Sequence, residues 1–223
     1  YIQKRIEGFS AAAIIGKKEF MGLTLKVNEQ VLIPRPDTET WLEKVIQYYR
    51  NETGLKVADL GTGSGAILVG FLYYCRDAVG VGVDISTEAL KIAEENGQNL
   101  KITDRVEWRQ GDYLKAFDEE DIFDGIFSNP PYIPTKDIGG LSREVKHEPR
   151  LALDGGTDGL YFYHLLAKGA AEHLKPGGFL AVEFGIGQAT DILEMFRKSA
   201  QYEDFEVIKD YGGIERALYC RKK

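Results

Sequence analysis

The chain is poor in the residues that build metal sites and covalent frameworks. Its 223 residues include two cysteines, Cys75 and Cys220, and three histidines, His147, His164 and His173. Two lone cysteines exclude a disulfide-stapled scaffold and suggest a reducing compartment, so a cytoplasmic protein is expected. The histidines share no ligand spacing with cysteines or carboxylates, and no metal is expected. Long apolar runs are missing too. The longest covers residues 66–75 and is interrupted by Gly70, whereas a membrane span needs roughly 20 apolar residues. A basic surplus is also absent: 28 Lys and Arg face 35 Asp and Glu, a formal charge of −7. Proteins that grip a phosphate backbone over a broad face carry the opposite balance, so no stable nucleic-acid binding is expected, although a small basic patch stays open. The opening Tyr1-Ile2-Gln3-Lys4-Arg5 is followed by no apolar core and is not a secretory signal. It also lacks an initiator Met, and the chain reads as a fragment or a processed form.

What is present is globular: 43% hydrophobic and 28% charged residues, a balance that excludes disorder across the whole chain. Residues 1–13 read as a short helical piece with Ile2, Ile6 and Phe9 on one face. Residues 14–33 read as a hairpin. Pro34-Arg35-Pro36 stiffens its exit, and Asp37 or Thr38 is placed to cap a helix with Trp41, Val45, Tyr48 and Tyr49 on one face. From residue 56 onward strand and helix textures alternate. Strands are expected at 56–60, 79–83, 106–109, 122–128, 179–184, 205–209 and 216–221. Helices are expected from 64, over 86–99, 160–174 and 189–199. Such alternation predicts an α/β fold, a mostly parallel sheet with helices on both faces. The connection over 130–159 is too long for a simple link and is a functional suspect.

The first strand of this series runs into Asp59-Leu60-Gly61-Thr62-Gly63-Ser64-Gly65-Ala66. Glycines there allow a sharp turn and close approach of a ligand to the backbone. Asp84 ends the next strand, nineteen residues after Gly65, where a carboxylate can hold both hydroxyls of a ribose. The two features together specify a nucleoside-containing cofactor without saying which. Gly61-x-Gly63-x-x-Ala66 satisfies the dinucleotide fingerprint, so NAD stays open at this point, as does a strand–helix turn with no ligand. After the third strand, Asp112 is placed to accept from an exocyclic amine and Tyr113 to pack on a base; a solvent-facing turn beside a core aromatic is the plainer alternative.

Ser128-Asn129-Pro130-Pro131-Tyr132 follows the fourth strand. Ligands of open parallel sheets bind beyond the carboxyl ends of the strands. Two prolines remove two N–H donors and leave nearby carbonyls as bare acceptors. The Asn129 side-chain oxygen and the Pro130 carbonyl form a paired acceptor suited to a planar –NH2 group, with Tyr132 as an aromatic wall. A rigid proline turn at a strand end is the competing reading.

The glycine loop, Asp84 and Asn129-Pro130-Pro131-Tyr132 together resemble class I S-adenosylmethionine-dependent methyltransferases that modify amino or amide nitrogens. Two further segments narrow the likeness. Residues 31–39, VLIPRPDTE, and residues 147–160, HEPRLALDGGTDGL, resemble the release-factor glutamine N5-methyltransferases (the HemK/PrmC family). The resemblance runs from about Lys17 to the C-terminus. The NPPY element alone is shared with adenine-N6 DNA methyltransferases; its combination with the other two is family-specific. The family carries an N-terminal helical bundle that helps hold the release factor, of which only residues 1–13 would be a remnant here. Residues 9–14 depart from its Pro-containing approach to the hairpin.

The resemblance implies a doubly wound, seven-stranded Rossmann-like methyltransferase sheet over residues 34–223. A hairpin linker and the remnant of a helical domain would occupy residues 1–33. It implies methyl transfer from S-adenosylmethionine, leaving S-adenosylhomocysteine, to the glutamine nitrogen of the Gly-Gly-Gln motif in class 1 peptide chain release factors. Gly61, Thr62, Gly63, Ser64, Gly65, Asp84, Ile85, Asp112, Tyr113 and Asn129 would form the cofactor site. Asn129, Pro130, Pro131, Tyr132 and Arg35 would form the substrate site, with Asn129, Pro130 and Tyr132 catalytic. Arg35, Glu39, Glu148 and Arg150 either order the loops or touch substrate, against a bland reading as capping and surface ion pairs. Asp154 and Asp158 read as turn formers, His164 and His173 as helix surface, Trp41 as helix-to-sheet packing or the cofactor mouth. The competing activities are glutamine methylation of a ribosomal protein, adenine-N6 methylation of nucleic acid and NAD-dependent oxidoreduction; a non-enzymatic binding module is the remaining alternative.

Overall fold

The computed structural model describes residues 1–223. Two short helices, α1 (Ile2–Glu7) and α2 (Ala11–Ile15), lead into a hairpin of β1 (Lys17–Phe20) and β2 (Leu23–Lys26). The expected single helical piece is broken at Gly8, which takes the left-handed conformation at φ 106° and ends α1. The hairpin is shorter than the texture of 14–33 suggested. Met21 and Gly22, both at positive φ, form its two-residue turn, whose backbone matches the twist of the strands.

Helix α3 (Pro36–Tyr49) starts at the second proline of Pro34-Arg35-Pro36, with Arg35 as its N-cap residue. Proline is preorganised for a first helical position. Neither Asp37 nor Thr38 caps it; the Thr38 hydroxyl goes to Glu183 instead. The alternating part follows: β3 (Lys56–Leu60), α4 (Ala66–Tyr74), β4 (Val79–Asp84), α5 (Thr87–Asn99), β5 (Val106–Gln110), β6 (Phe123–Ser128), α6 (Tyr161–Gly169), β7 (Leu174–Glu183), α7 (Ala189–Lys198), β8 (Tyr202–Lys209) and β9 (Glu215–Lys222). Seven strands form one sheet in the order β5-β4-β3-β6-β7-β9-β8. Every pair is parallel except those made by β9, which is antiparallel to β7 and β8. The order reverses between β3 and β6, so a crevice opens beyond their carboxyl ends.

Alternate residues of the central strands serve two cores. Val57, Phe127 and Phe179 pack with α3 and α4 on one face, where Phe71 and Trp41 are fully buried. Ala58, Ile126 and Leu180 pack with α6 and α7 on the other, around Tyr163 and Phe196. Gly125 admits the Phe179 ring: a Cβ there would lie 2.1 Å from it. Val27, Val31 and Ile33 seat the hairpin exit on Ala89 and Ile92 of α5. The buried Asn96 side chain of α5 joins the hairpin to the glycine loop, bonding Lys26 and, at 2.9 Å, the Ser64 carbonyl.

Several boundaries differ from expectation, each for a local reason. Helix α4 begins at Ala66 rather than Ser64, because Gly63 and Gly65 are left-handed (φ 55° and 78°). Strand β7 begins at Leu174 and runs through Pro176-Gly177-Gly178, with an irregular register against β6 absorbing the turn residues. Strand β8 starts at Tyr202, and α6 gives way at Ala170 to a 3₁₀ turn that reaches His173. His164 is exposed, but His173 is half-buried and bonds the Asp121 carbonyl at 3.0 Å, so only one of the two is helix surface. The connection over 130–159 contains three short 3₁₀ turns and no longer element. No helix is long and apolar enough to cross a membrane.

Candidate active site

The glycine loop is built by the sheet it leaves. Gly61 and Thr62 N–H groups both donate to the Val83 carbonyl at 2.9 Å, carrying the chain across from β3 to β4. The loop then turns back. The Gly63 N–H donates to Asp84 Oδ2 at 2.8 Å, while the Ser86 N–H donates to Asp84 Oδ1 at 2.9 Å. Burial lifts the Asp84 pKa, and these backbone donors pull it part of the way back. The Ser86 hydroxyl caps α5 through the Ala89 N–H.

Below the loop, Asp59 is completely buried. Its Oδ2 accepts the Thr62 hydroxyl at 2.6 Å and its Oδ1 has no partner. Burial pushes its pKa up to about 7, with the Asp84 charge adding in the same direction and the Thr62 bond opposing. No local feature of the chain marks this group's state, since nothing local reports depth in the sheet.

A cleft of about 260 Å³ opens at the carboxyl edge of β3, β4 and β6. Gly61, Gly63, Asp84, Ile85, Asp112, Tyr113, Asn129 and Pro131 line it. Thr62, Ser64 and Gly65 do not. Thr62 is turned to Asp59, the Ser64 carbonyl to Asn96, and Gly65 is a packing glycine whose Cβ would lie 3.0 Å from the Trp108 ring. Their part is to shape the loop.

Tyr113 sits in the left-handed region at φ 52°, a strained setting for an aromatic residue. Its ring stacks on Phe162 at 4.6 Å between centroids and its hydroxyl lies 3.3 Å from Ser128 Oγ. Phe162, together with Leu32, Pro149 and Leu151, completes the cleft. None of these four was chosen from the sequence as a binding residue. They come from segments remote in the chain, and only folding collects them.

Asn129 stands at the end of β6, half-buried, and its Oδ1 is sealed from solvent with no hydrogen-bond partner. A buried acceptor left alone is costly and marks a place where a ligand donor fits. A second, smaller cleft lies on the other side of it, lined by Arg35, Tyr132, Ile133, Leu141, Val145 and Leu153. Leu32, Asn129 and Ala152 belong to both clefts. The second is apolar apart from Arg35 and Asn129. Burial raises the Tyr132 hydroxyl to about 12, so it stays neutral at physiological pH. Pro130 is buried and lines neither cleft.

The long connection is strapped onto this tetrapeptide. The Ile133 N–H donates to Leu153 and the Gly155 N–H to Ile133, at 3.0 and 2.9 Å. A Cβ on Gly155 would lie 2.7 Å from the Pro131 carbonyl, so close passage demands glycine there. Gln188 bonds the Tyr132 and Gly159 carbonyls from the start of α7.

Glu148 is buried, accepts Arg35 at 2.7 Å and the Ile33 N–H at 3.3 Å, and thus ties the strap to the hairpin exit. This pair orders the loops and is not a surface ion pair. The other two candidates separate from it. Arg150 makes an exposed pair with Asp154, and Glu39 lines a different surface groove beside Glu43 and Tyr211. Asp154 accepts Thr135 Oγ1 and the Gly156 N–H, the turn-forming part expected of it. Trp41 is fully buried against the sheet and lines neither cleft. No group of three or more His, Cys, Asp or Glu side chains is gathered in a way that could hold a metal.

A methyltransferase-domain family model matches residues 51–210. A release factor glutamine methyltransferase of Bradyrhizobium diazoefficiens is 44% identical over 226 residues, covering 100% of this chain and 75% of that protein. One from Moorella thermoacetica is 40% identical over 222 residues, covering 100% and 78%. Among solved structures, a methyltransferase from Pyrococcus furiosus matches with a TM-score of 0.66 at 20% identity, over 100% of this chain and 99% of that one.

Proposed function

Because the chain belongs to the release factor glutamine methyltransferase family, we propose that it methylates the side-chain amide nitrogen (N5) of the glutamine in the Gly-Gly-Gln motif of class 1 release factors, with S-adenosylmethionine as donor. The observation that carries the reading is the meeting of two clefts at Asn129. One has the glycine loop and the Asp84 carboxylate of a nucleoside site. The other is a narrow, mostly apolar slot suited to a flat amide.

The residues of the larger cleft fit the cofactor. Gly61 and Gly63 leave bare backbone at its floor, and Asp84 offers carboxylate oxygens to ribose hydroxyls. Ile85, Asp112 and Tyr113 surround the place of the base. Thr62, Ser64 and Gly65 hold the loop in shape. When bound, S-adenosylmethionine supplies an electrophilic methyl group on its sulfonium and departs as S-adenosylhomocysteine.

An amide nitrogen is a poor nucleophile because its lone pair is delocalised into the carbonyl. Asn129 Oδ1 and the Pro130 carbonyl would accept its two hydrogens, orient it toward the neighbouring cleft and stabilise positive charge as it develops. Pro131 and Tyr132 would press on the flat faces of the amide. Neither cleft contains a histidine. The scheme needs no strong base, since the proton becomes acidic only as the new bond forms.

Residues 34–223 would carry the chemistry. Residues 1–33 would be the hairpin linker and the remnant of a helical domain, with the substrate docking beside them. A release factor substrate would place the reaction in the cytoplasm. Mass spectrometry of purified release factor, incubated with the protein and labelled cofactor, tests the reading. One added methyl on the Gly-Gly-Gln peptide is expected. Methylation of a ribosomal protein or of adenine in DNA, with the release factor untouched, would overturn it.

A further inference from the structure

Asn129 has a neighbour in the sheet with no part in the scheme so far. Ser128 of β6 pairs with Val182 of β7 in parallel register. The next residues along, Asn129 and Glu183, therefore stand side by side at the carboxyl edge with side chains on the same face. Glu183 is only 2% exposed. Its Oε2 accepts the Thr38 hydroxyl at 2.6 Å and the Trp41 indole N–H at 2.7 Å, both from α3. The register sets the Asn129 side chain beside the same carboxyl group, and its amide favours the charged form there, as an N–H donor does. The buried carboxyl is thus held by two fixed donors on one side and presents its charge to Asn129 on the other.

A carboxylate accepts only, and an amide next to it must present its –NH2 end. That fixes which end of Asn129 is left over: the carbonyl oxygen, the atom with no partner in the protein. We propose that Glu183 is a positioning residue of the reaction, whose carboxylate holds the Asn129 amide by its N–H and thereby keeps the Asn129 carbonyl oxygen free to accept from the substrate amide. The inference rests on the proposed function and deepens it. A protonated Glu183 would reverse the arrangement. Its O–H would donate to Asn129 Oδ1, fill the orphaned acceptor and remove it from substrate.

The charged and titratable surroundings set the direction. Burial raises the Glu183 pKa, the Thr38 and Trp41 donors oppose, and Asp37 of α3 raises it further. Tyr132 from the strap and Tyr163 from α6 also face it and stay neutral, both pushed up by burial. Arg216 of β9 pairs with Asp37 at 3.0 Å and dampens that charge. Turnover should therefore fall on the acid side as Glu183 takes up a proton, at a pH above the ordinary glutamate value.

The experiment is the pH dependence of kcat for methylation of a release factor by the wild-type protein, Glu183→Gln and Trp41→Phe, with cofactor affinity and thermal melting measured in parallel. Glu183→Gln is expected to lower kcat about 10- to 100-fold with cofactor affinity unchanged, and to lose the acid limb. Trp41→Phe removes one donor from the carboxylate and is expected to move the acid limb to higher pH. If both variants keep the wild-type kcat and profile, or lose activity only in step with cofactor affinity and melting temperature, Glu183 is a structural residue and the proposal fails. An inactive wild-type protein would instead overturn the proposed function, so the two failures are separable.

Discussion

Asp84 Oδ2 accepts the Gly63 N–H at 2.8 Å, so the carboxylate that ends β4 is also the clamp that closes the glycine loop of β3. One side chain thus shapes the backbone floor of the cleft and offers charge to its contents. Asp84→Ala removes both. The expected result is a cofactor affinity weaker by about 10- to 100-fold, the size of one or two hydrogen bonds to a charged group, read by calorimetry. An unchanged dissociation constant would take the ribose assignment away.

Asn129→Ala removes the acceptor shared by the two clefts without touching the loop that holds the cofactor. Turnover should drop about 10²- to 10³-fold, the typical loss of one preorganised transition-state partner, while cofactor affinity stays close to wild type. Single-turnover methylation and calorimetry on the same sample separate the two effects. Comparable turnover in the variant would strip Asn129 of its assigned part.

Arg35 and Glu148 join the hairpin exit to the strap, and Glu148 is the buried partner. Arg35→Met leaves that carboxyl without its cation. Because Arg35 is about one-third exposed, the cost is smaller than for a fully buried pair. The strap should loosen locally. Faster proteolysis within residues 130–159 and a raised KM for the protein substrate are expected, with cofactor affinity little changed. Protection equal to wild type would return the pair to the surface class.

Asp59 gives the protein a pH signature of its own. Its folded pKa of about 7 lies above its ordinary value of 3.8 because burial disfavours the charge. The folded state therefore binds this proton more tightly than the unfolded state, and the associated stability is present at low pH and lost as pH rises toward 7. Urea denaturation should show the wild type gaining stability from pH 8 to pH 5, by an amount that Asp59→Asn largely removes. A variant with the same pH slope as wild type would locate the effect elsewhere.

Gly125→Ala would place a methyl group 2.1 Å from the Phe179 ring, in a cluster where Phe127, Tyr49 and Tyr219 also meet that ring. The Cβ position is fixed by the backbone, so no rotation relieves such a contact, and Phe179 is fully buried. A loss of at least about 1–3 kcal/mol is expected, read as a lowered melting temperature by calorimetry. A melting temperature equal to wild type would mean that the ring does move.

The chain announced its alternating elements because each strand and helix has its own apolar period, and periods are local. Gly61, Gly63, Asp84 and Asn129 are legible in the same way as loop and strand-end positions, because residue type and place in the alternation put them at the carboxyl edge of the sheet. Element boundaries were less legible. β7 runs through Pro176-Gly177-Gly178 because pairing with β6 holds on either side of the turn residues, which the irregular register absorbs, and α4 starts late because two left-handed glycines hold the loop open. The remainder could not be read along the chain. Phe162 under Tyr113, the Glu148 clamp on Arg35, the raised Asp59 and the neighbourhood of Asn129 and Glu183 all depend on strand order and depth. Burial, charge and hydrogen bonding act through space between residues that the sequence keeps far apart, and they take their values only once the sheet has closed around them.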